Sequence, residues 1–371
     1  MRDMFSQRVK SLDISGIRKM FEGAGPNAIN LGLGQPDFDT PEHIKRAAID
    51  AINKGFTGYT ANLGIPELRE ALSKKFEMDN SFSVSRDEVI VTSGASEALH
   101  LALQALVDIG DEVLVPDPGF VSYSPLAKMA GGKVVGVPLG EKLTLTPDAV
   151  NERITPKTRA IIINSPSNPT GTVQTREEIK GLAEIAEEND ITIISDEVYE
   201  HFIYEGEHVS PAQFTDNVIT INAVSKTYAM TGWRIGYAAA RKDYVEQMLK
   251  VHQYIQACAC SIAQKAALAA IEGPQDCVIE MRESFRARRD ILMEGFRSMG
   301  IECVKPQGAF YAFPEVGDEE APQKLLKNGV IVTPGSAFGI NGKGHIRISY
   351  STSEANLKKA LGIMEKVLAH V

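Results

Sequence analysis

Cysteine is scarce in this chain, and its placement excludes two kinds of scaffold. The four thiols are Cys258, Cys260, Cys277 and Cys303, and the Cys258-Ala259-Cys260 pair is too close in sequence for a comfortable disulfide. No histidine spacing completes a zinc site around them, so no metal and reduced thiols are expected. Long apolar runs are missing too. None approaches the ~20 residues of a membrane span, and Met1-Arg2-Asp3-Met4-Phe5 lacks a signal-peptide core. A cytoplasmic protein with no membrane partner is therefore expected. Nor is charge of one sign gathered into a block: 39 basic and 48 acidic residues leave a net charge of -9. A nucleic-acid partner, which needs a clustered basic footprint, is excluded on that ground.

What remains is ample for a large core. The 371 residues are 43% hydrophobic with 31 glycines, enough for one big domain and a small one. Short apolar runs alternate with helical patterns from about Asp87 to Ala240, which predicts an α/β fold with a mainly parallel sheet flanked by helices. The runs Glu88–Thr92, Glu112–Val115, Lys133–Val137, Ala160–Ile163, Ile191–Ser195, Val218–Asn222 and Arg234–Ala239 read as its seven strands. Helices fit Glu97–Val107, Arg176–Glu188 and Lys242–Ile271. After about Gln275 the pattern changes. A charged helix from Val278 to Met299 precedes strands near Ile301–Val304 and Phe310–Phe313. A helix near Pro322–Asn328, strands Val330–Thr333 and His345–Ser349, and a closing helix from Ser353 follow. That reads as a smaller α+β unit. The expected division is 1–40 as an N-terminal segment, 41–275 as the large domain and 276–371 as the small one.

The most informative residue is Lys226, in Asn222-Ala223-Val224-Ser225-Lys226-Thr227-Tyr228-Ala229-Met230-Thr231-Gly232-Trp233-Arg234. A lysine at the end of a buried strand is poorly solvated, which lowers its pKa and frees the neutral amine for attack on a carbonyl. Two other strands also end in polar clusters, Asn164-Ser165-Pro166-Ser167-Asn168-Pro169-Thr170-Gly171 and Asp196-Glu197-Val198-Tyr199. Ligands of open α/β sheets sit beyond such carboxyl ends.

In these motifs, together with Ser225-Lys226 before Arg234 and His345-Ile346-Arg347-Ile348-Ser349, the chain resembles the fold-type I pyridoxal-phosphate aminotransferases of class I/II, related to aspartate and aromatic aminotransferases. The likeness runs from Asn30-Leu31-Gly32-Leu33-Gly34-Gln35-Pro36 to the last helix. It implies a Schiff base between Lys226 and pyridoxal 5′-phosphate, with the freed amine later moving the substrate's α-proton. The phosphate cradle would be Gly94-Ala95-Ser96 at a helix start, with Ser225 and Arg234. Asp196 would hold the ring nitrogen protonated; at an effective dielectric near 20 a contact at ~4 Å is worth roughly 4 kcal/mol. Tyr199 and Asn168 would bond the ring oxygen, and Phe120 would stack on the ring.

Substrate handling falls to Arg347, whose planar guanidinium matches an α-carboxylate, although a structural salt bridge would also explain a charge inside an apolar strand. Gly34 would let backbone approach the substrate. Tyr59 matches a family position that reaches the neighbouring subunit's cofactor phosphate, which implies a homodimer with shared sites. The N-terminal segment would pack on the small domain.

The expected activity is transfer of an amino group from an L-amino acid to a 2-oxo acid by a ping-pong mechanism, with aspartate and 2-oxoglutarate as first choice. Aromatic amino acids, alanine and diaminopimelate are alternatives. A C–S β-lyase fits the same scaffold, whereas a ligand-sensing regulator would need a DNA-binding module beside the motif region that begins near Asn30. Arg18, Lys19 and His252 are open candidates for a distal carboxylate, and Ser15–Phe21 reads as an amphipathic segment able to close over the site.

Overall fold

The computed structural model describes residues 4–12, 25 and 28–368. Twelve strands run through it: β1 (Ile29–Asn30), β2 (Val89–Thr92), β3 (Glu112–Asp117), β4 (Lys133–Pro138), β5 (Thr158–Asn164), β6 (Thr192–Asp196), β7 (Val218–Ala223), β8 (Gly236–Ala239), β9 (Tyr311–Ala312), β10 (Val330–Ile331), β11 (Thr333–Pro334) and β12 (Ile346–Ser349). Seven of them form the central sheet, in the order β2-β8-β7-β6-β5-β3-β4. Every pairing is parallel except those of β8, which opposes both its neighbours.

The continuous Val/Ile runs follow from burial on both faces. Ala160 and Ile162 of β5 join one core with Ala98, Leu99 and Ala102 of the helix Ala95–Leu106. Ile161 and Ile163 point the other way, onto Ile179, Leu182 and Ala183 of the helix Arg176–Glu188. The start of that second helix is fixed by a capping box. Thr175 Oγ1 accepts from the Glu178 backbone N–H at 3.2 Å, and the Glu178 carboxylate accepts from that of Thr175 at 2.8 Å.

A second core lies beyond the sheet's last helices. The long helix Asp276–Met299 buries Phe285, Leu292 and Phe296 against Leu357, Ala360 and Met364 of the closing helix Glu354–Leu368. The antiparallel sheet β11-β12-β9 contributes Ile346 and Ile348. Ile29 and Leu31 join the same cluster, because β1 pairs in parallel with β10. Among the described residues, no helix is long and apolar enough to cross a membrane.

Several expected boundaries move. The helix expected over Lys242–Ile271 is two helices, Lys242–Ile255 and Ser261–Glu272. Ala257 turns the chain between them at φ +63°, and the Asn62 side-chain amide donates to its carbonyl at 2.5 Å. No glycine or proline marks that break. Ile301–Val304 forms no strand, and the run Val330–Thr333 divides between two sheets. Arg234 lies outside β8, in the left-handed region at φ +54°.

Candidate active site

β5, β6 and β7 end side by side, with Asn164 paired to Asp196 and Asp196 to Ile221. Since β8 runs the other way, its first residue, Gly236, pairs with Ala223 at this same edge. A cavity of about 260 Å³ opens there, and Asp196, Asn168, Tyr199, Lys226, Arg234 and Arg347 all line it.

Lys226 sits in the short helix Val224–Thr227 that follows β7 directly. Its amine donates to the Gly34 carbonyl at 2.6 Å. Burial, then the Arg347 and Arg234 guanidiniums, push its pKa down to about 8 against the opposing pull of Asp196. Gly34 is required at that contact: a Cβ there would stand 1.9 Å from the Tyr311 hydroxyl oxygen. The preceding Ser225 is buried and lines the cavity.

Asp196 is 4% exposed, and burial pushes its carboxyl up to about 6 despite two hydrogen bonds to it. Tyr123 Oη donates to Oδ2 at 2.7 Å, and the Val198 N–H reaches Oδ1 at 3.5 Å. Asn164 ties the neighbouring loop to this strand. Its side chain donates to the Asp196 carbonyl at 2.9 Å and accepts from the Asn168 N–H at 2.7 Å.

At one end of the cavity the helix Ala95–Leu106 begins, with Gly94 as N-cap at φ +82°. A Cβ on Gly94 would come within 2.5 Å of Arg234 Nη2. Arg234 is exposed, and donates to the carbonyls of Thr231 at 2.9 Å and Ser93 at 3.4 Å. Ala95 and Ser96 line the wall beside it. The unpaired N–H groups of a helix start and a guanidinium together suit an anion.

At the other end, Arg347 of β12 is only 1% exposed. Nη1 donates to Asn168 Oδ1 at 3.1 Å, and Nη2 to Thr333 Oγ1 at 3.3 Å and to the Gly32 carbonyl. Its plane lies between the rings of Tyr311 and Phe338, at 4.7 and 5.0 Å. Among the described residues no carboxylate pairs with it, and its Nε is buried without a partner. The salt-bridge alternative thus fails; a buried guanidinium held only by neutral oxygens suits an incoming carboxylate.

Tyr199 Oη lies 2.8 Å from Tyr311 Oη, and burial raises both phenols above their ordinary value. Phe120 lines the cavity with its ring edge-on to Tyr123. Tyr59, by contrast, stands 91% exposed on the surface, away from the cavity of its own chain. His252 corrects an expectation: it is fully buried, with Nδ1 2.8 Å from the Glu97 carboxylate, and does not line the cavity. Arg18, Lys19 and the rest of Ser15–Phe21 lie outside the described residues. Among the described residues, Lys226, Arg234 and Arg347 are the lysines and arginines that line the cavity.

Tyr123, Asn164, Thr231 and Tyr311 also line it; sequence reasoning assigned none of them a role, although Asn164 opens one of the polar clusters at the strand ends. Tyr123 lies three residues beyond Phe120, at the start of the helix Tyr123–Ala130. Tyr311 is hidden in an aromatic stretch that reads as core.

Comparison with known proteins points to one family. The model of the family "Aminotransferase class I and II" matches residues 26–363. A probable aspartate aminotransferase of Methanocaldococcus jannaschii is 50% identical, over 98% of this chain and 100% of its own length. An aromatic-amino-acid aminotransferase of Thermococcus litoralis is 42% identical over 98% of both chains. The solved aspartate aminotransferase from Thermus thermophilus with maleate superposes with a TM-score of 0.94 at 42% identity, covering 99% of this chain and 100% of that one. A lysine, a buried acid and two arginines meet here at the edge of a mostly parallel sheet, and the chain belongs to the class I and II aminotransferase family.

Proposed function

We propose that this aminotransferase uses pyridoxal 5′-phosphate to move the amino group of an L-amino acid to a 2-oxo acid, with aspartate and 2-oxoglutarate as the preferred pair. The observation that carries the reading is the placement of the Lys226 amine and the Asp196 carboxylate on one cavity, between Arg234 and Arg347. The residues present fit the cofactor. Asp196 is a buried acid raised to about 6, which a cationic ring nitrogen would return to its ionised form. The Gly94 turn and Arg234 leave room for a phosphate where a Cβ would intrude. When bound, the cofactor supplies an electron sink for the carbanion left on the substrate α-carbon.

The chain's own residues do the rest. Lys226 would hold the cofactor through its amine and, once released, carry the proton from the substrate α-carbon; a pKa near 8 suits a group that must both take and give it. Arg347 and Asn168 would grip the α-carboxylate and fix which bond faces Lys226. Tyr199 would donate to the cofactor's ring oxygen, braced by Tyr311. Phe120 would cover the ring and exclude water on that side. The oxo acid from the donor leaves before the acceptor binds. Each site would be completed by Tyr59 of a second copy in a cytoplasmic homodimer; its exposure on the single chain supports that reading.

Aspartate is favoured by the names of the relatives at 50% and 42% identity in Methanocaldococcus and Thermus, the latter solved with the dicarboxylate maleate. A panel of amino donors against 2-oxo acids, run with purified enzyme and cofactor, tests the reading. Aspartate with 2-oxoglutarate should give the highest kcat/KM, and Lys226→Ala should abolish both turnover and the visible band of the lysine-linked cofactor. Full turnover in that variant, or pyruvate and ammonia from a single substrate with no oxo acid added, would overturn it.

A further inference from the structure

One side chain touches both surfaces that would hold the cofactor ring. Tyr123, the first residue of the helix Tyr123–Ala130, is fully buried. Its hydroxyl donates to Asp196 Oδ2 at 2.7 Å. Its ring stands edge-on to Phe120, with centroids 5.5 Å apart and planes at 80°. Asp196 and Phe120 are far apart in sequence and reach the cavity from different strands, β6 and the turn after β3.

We propose that Tyr123 is a positioning residue for the reaction, its hydroxyl keeping the Asp196 carboxylate ionised and aimed while its ring sets the tilt of Phe120. The inference rests on the cofactor reading given above. A hydroxyl hydrogen bond stabilises a buried carboxyl group more in its charged than in its neutral form, so removing the donor favours protonation. The titratable groups around Asp196 are Tyr123, Glu197, Tyr199, Lys226 and Tyr311. Glu197 opposes ionisation and Lys226 favours it. Both would be unchanged in a Tyr123→Phe variant, which keeps the ring against Phe120.

The test compares retention of pyridoxal 5′-phosphate by wild-type and Tyr123→Phe holoenzyme, diluted into buffers from pH 5 to 8 and read by visible absorbance. Terms common to both proteins, such as titration of the phosphate and of Lys226, cancel in the ratio of apparent affinities. Loss of one hydrogen bond to a charged acceptor is worth roughly one pKa unit, so Tyr123→Phe should hold the cofactor up to about tenfold more weakly near pH 5 and match wild type by about pH 8. In an Asp196→Asn background the same substitution should leave the ratio flat with pH. A ratio that is flat in the wild-type background, whether at unity or at a uniform loss, would overturn the proposal, as would a pH-dependent ratio that survives in Asp196→Asn. Failure of the cofactor reading looks different, because wild-type protein would then show no visible band with pyridoxal 5′-phosphate.

Discussion

The Lys226 amine donates to the backbone carbonyl of Gly34, a cavity-lining residue 192 positions away in sequence. That contact aims the amine into the cavity, and it exists because Gly34 has no side chain. A Gly34→Ala methyl would overlap the Tyr311 hydroxyl, where 1.9 Å separates the two positions. Tyr311 is fully buried and cannot swing away. Turnover by Gly34→Ala should fall by more than about tenfold, because small displacements of reacting groups are expensive. Steady-state rates beside an unchanged far-ultraviolet circular dichroism spectrum would check it.

Arg347 should separate binding from folding. Replacement by Lys keeps a charge but loses the planar fork, now held by Asn168, Thr333 and Gly32. We expect kcat/KM for amino donors to drop by about a hundredfold or more, from the loss of one or two charge-assisted hydrogen bonds. The cofactor's visible band should survive. Kinetics and absorbance on one preparation distinguish the two effects.

Asp196 carries a stability penalty that serves the site. Its carboxyl rises from the ordinary 3.8 to about 6 in the folded chain. A raised pKa means that the folded state holds the proton more tightly, so the group's favourable contribution is complete below about pH 4 and is lost as pH rises through 6. At neutral pH the cofactor-free chain therefore bears a destabilisation of up to about 3 kcal/mol, two pKa units' worth. Asp196→Asn should melt higher than cofactor-free wild type at pH 7, while losing affinity for pyridoxal 5′-phosphate. Calorimetry with and without added cofactor reads both signs.

Next to the residues that follow β6, Lys75 is buried against Glu200 and donates to Asn80 Oδ1 at 2.6 Å. Asn80 donates to Glu200 at 2.6 Å and to Glu197 at 3.1 Å, and His208 Nε2 lies 2.8 Å from Glu197. Against the opposing effect of burial, Lys75, then His201 and His208, hold the Glu200 carboxyl well below the usual range. Lys75→Met would take the lysine from that buried carboxylate and leave it to Asn80, His201 and His208, at a cost of up to about 3 kcal/mol. A fall in melting temperature of several degrees at pH 7 is expected, shrinking as pH drops towards Glu200's lowered pKa, because a depressed carboxyl stabilises the fold only while ionised.

The role proposed for Tyr59 makes an assembly prediction. Tyr59→Ala should weaken cofactor retention if a second copy supplies that ring, while leaving the fold of each chain intact, since the side chain is 91% exposed. Analytical ultracentrifugation of wild type should give twice the chain mass of 40.3 kDa.

Much of the site was legible because its residues follow strand ends. Asn164, Asp196 and Ala223 close three buried Val/Ile runs, so Asp196 and Lys226 could be placed at one edge from the pattern alone. Tyr123 and Tyr311 were not legible: each acts through a contact 73 or 112 positions away, and each looks locally like a core aromatic. His252 misled for the opposite reason. Its charge suggested a substrate contact, yet Glu97 already engages it in the interior. The break at Ala257 was invisible because an alanine, not a glycine, adopts the left-handed turn.

The lone reversed strand, β8, has a consequence for how this enzyme can vary. A parallel neighbour would need a crossover of a dozen residues or more before the chain returned to the same rim. Antiparallel pairing lets residues 226 and 234 share one hollow with a single short hairpin between them. Length changes within that hairpin would pull amine and guanidinium out of step, whereas the excursions joining the other strands start and finish at opposite rims and can lengthen without disturbing the spacing.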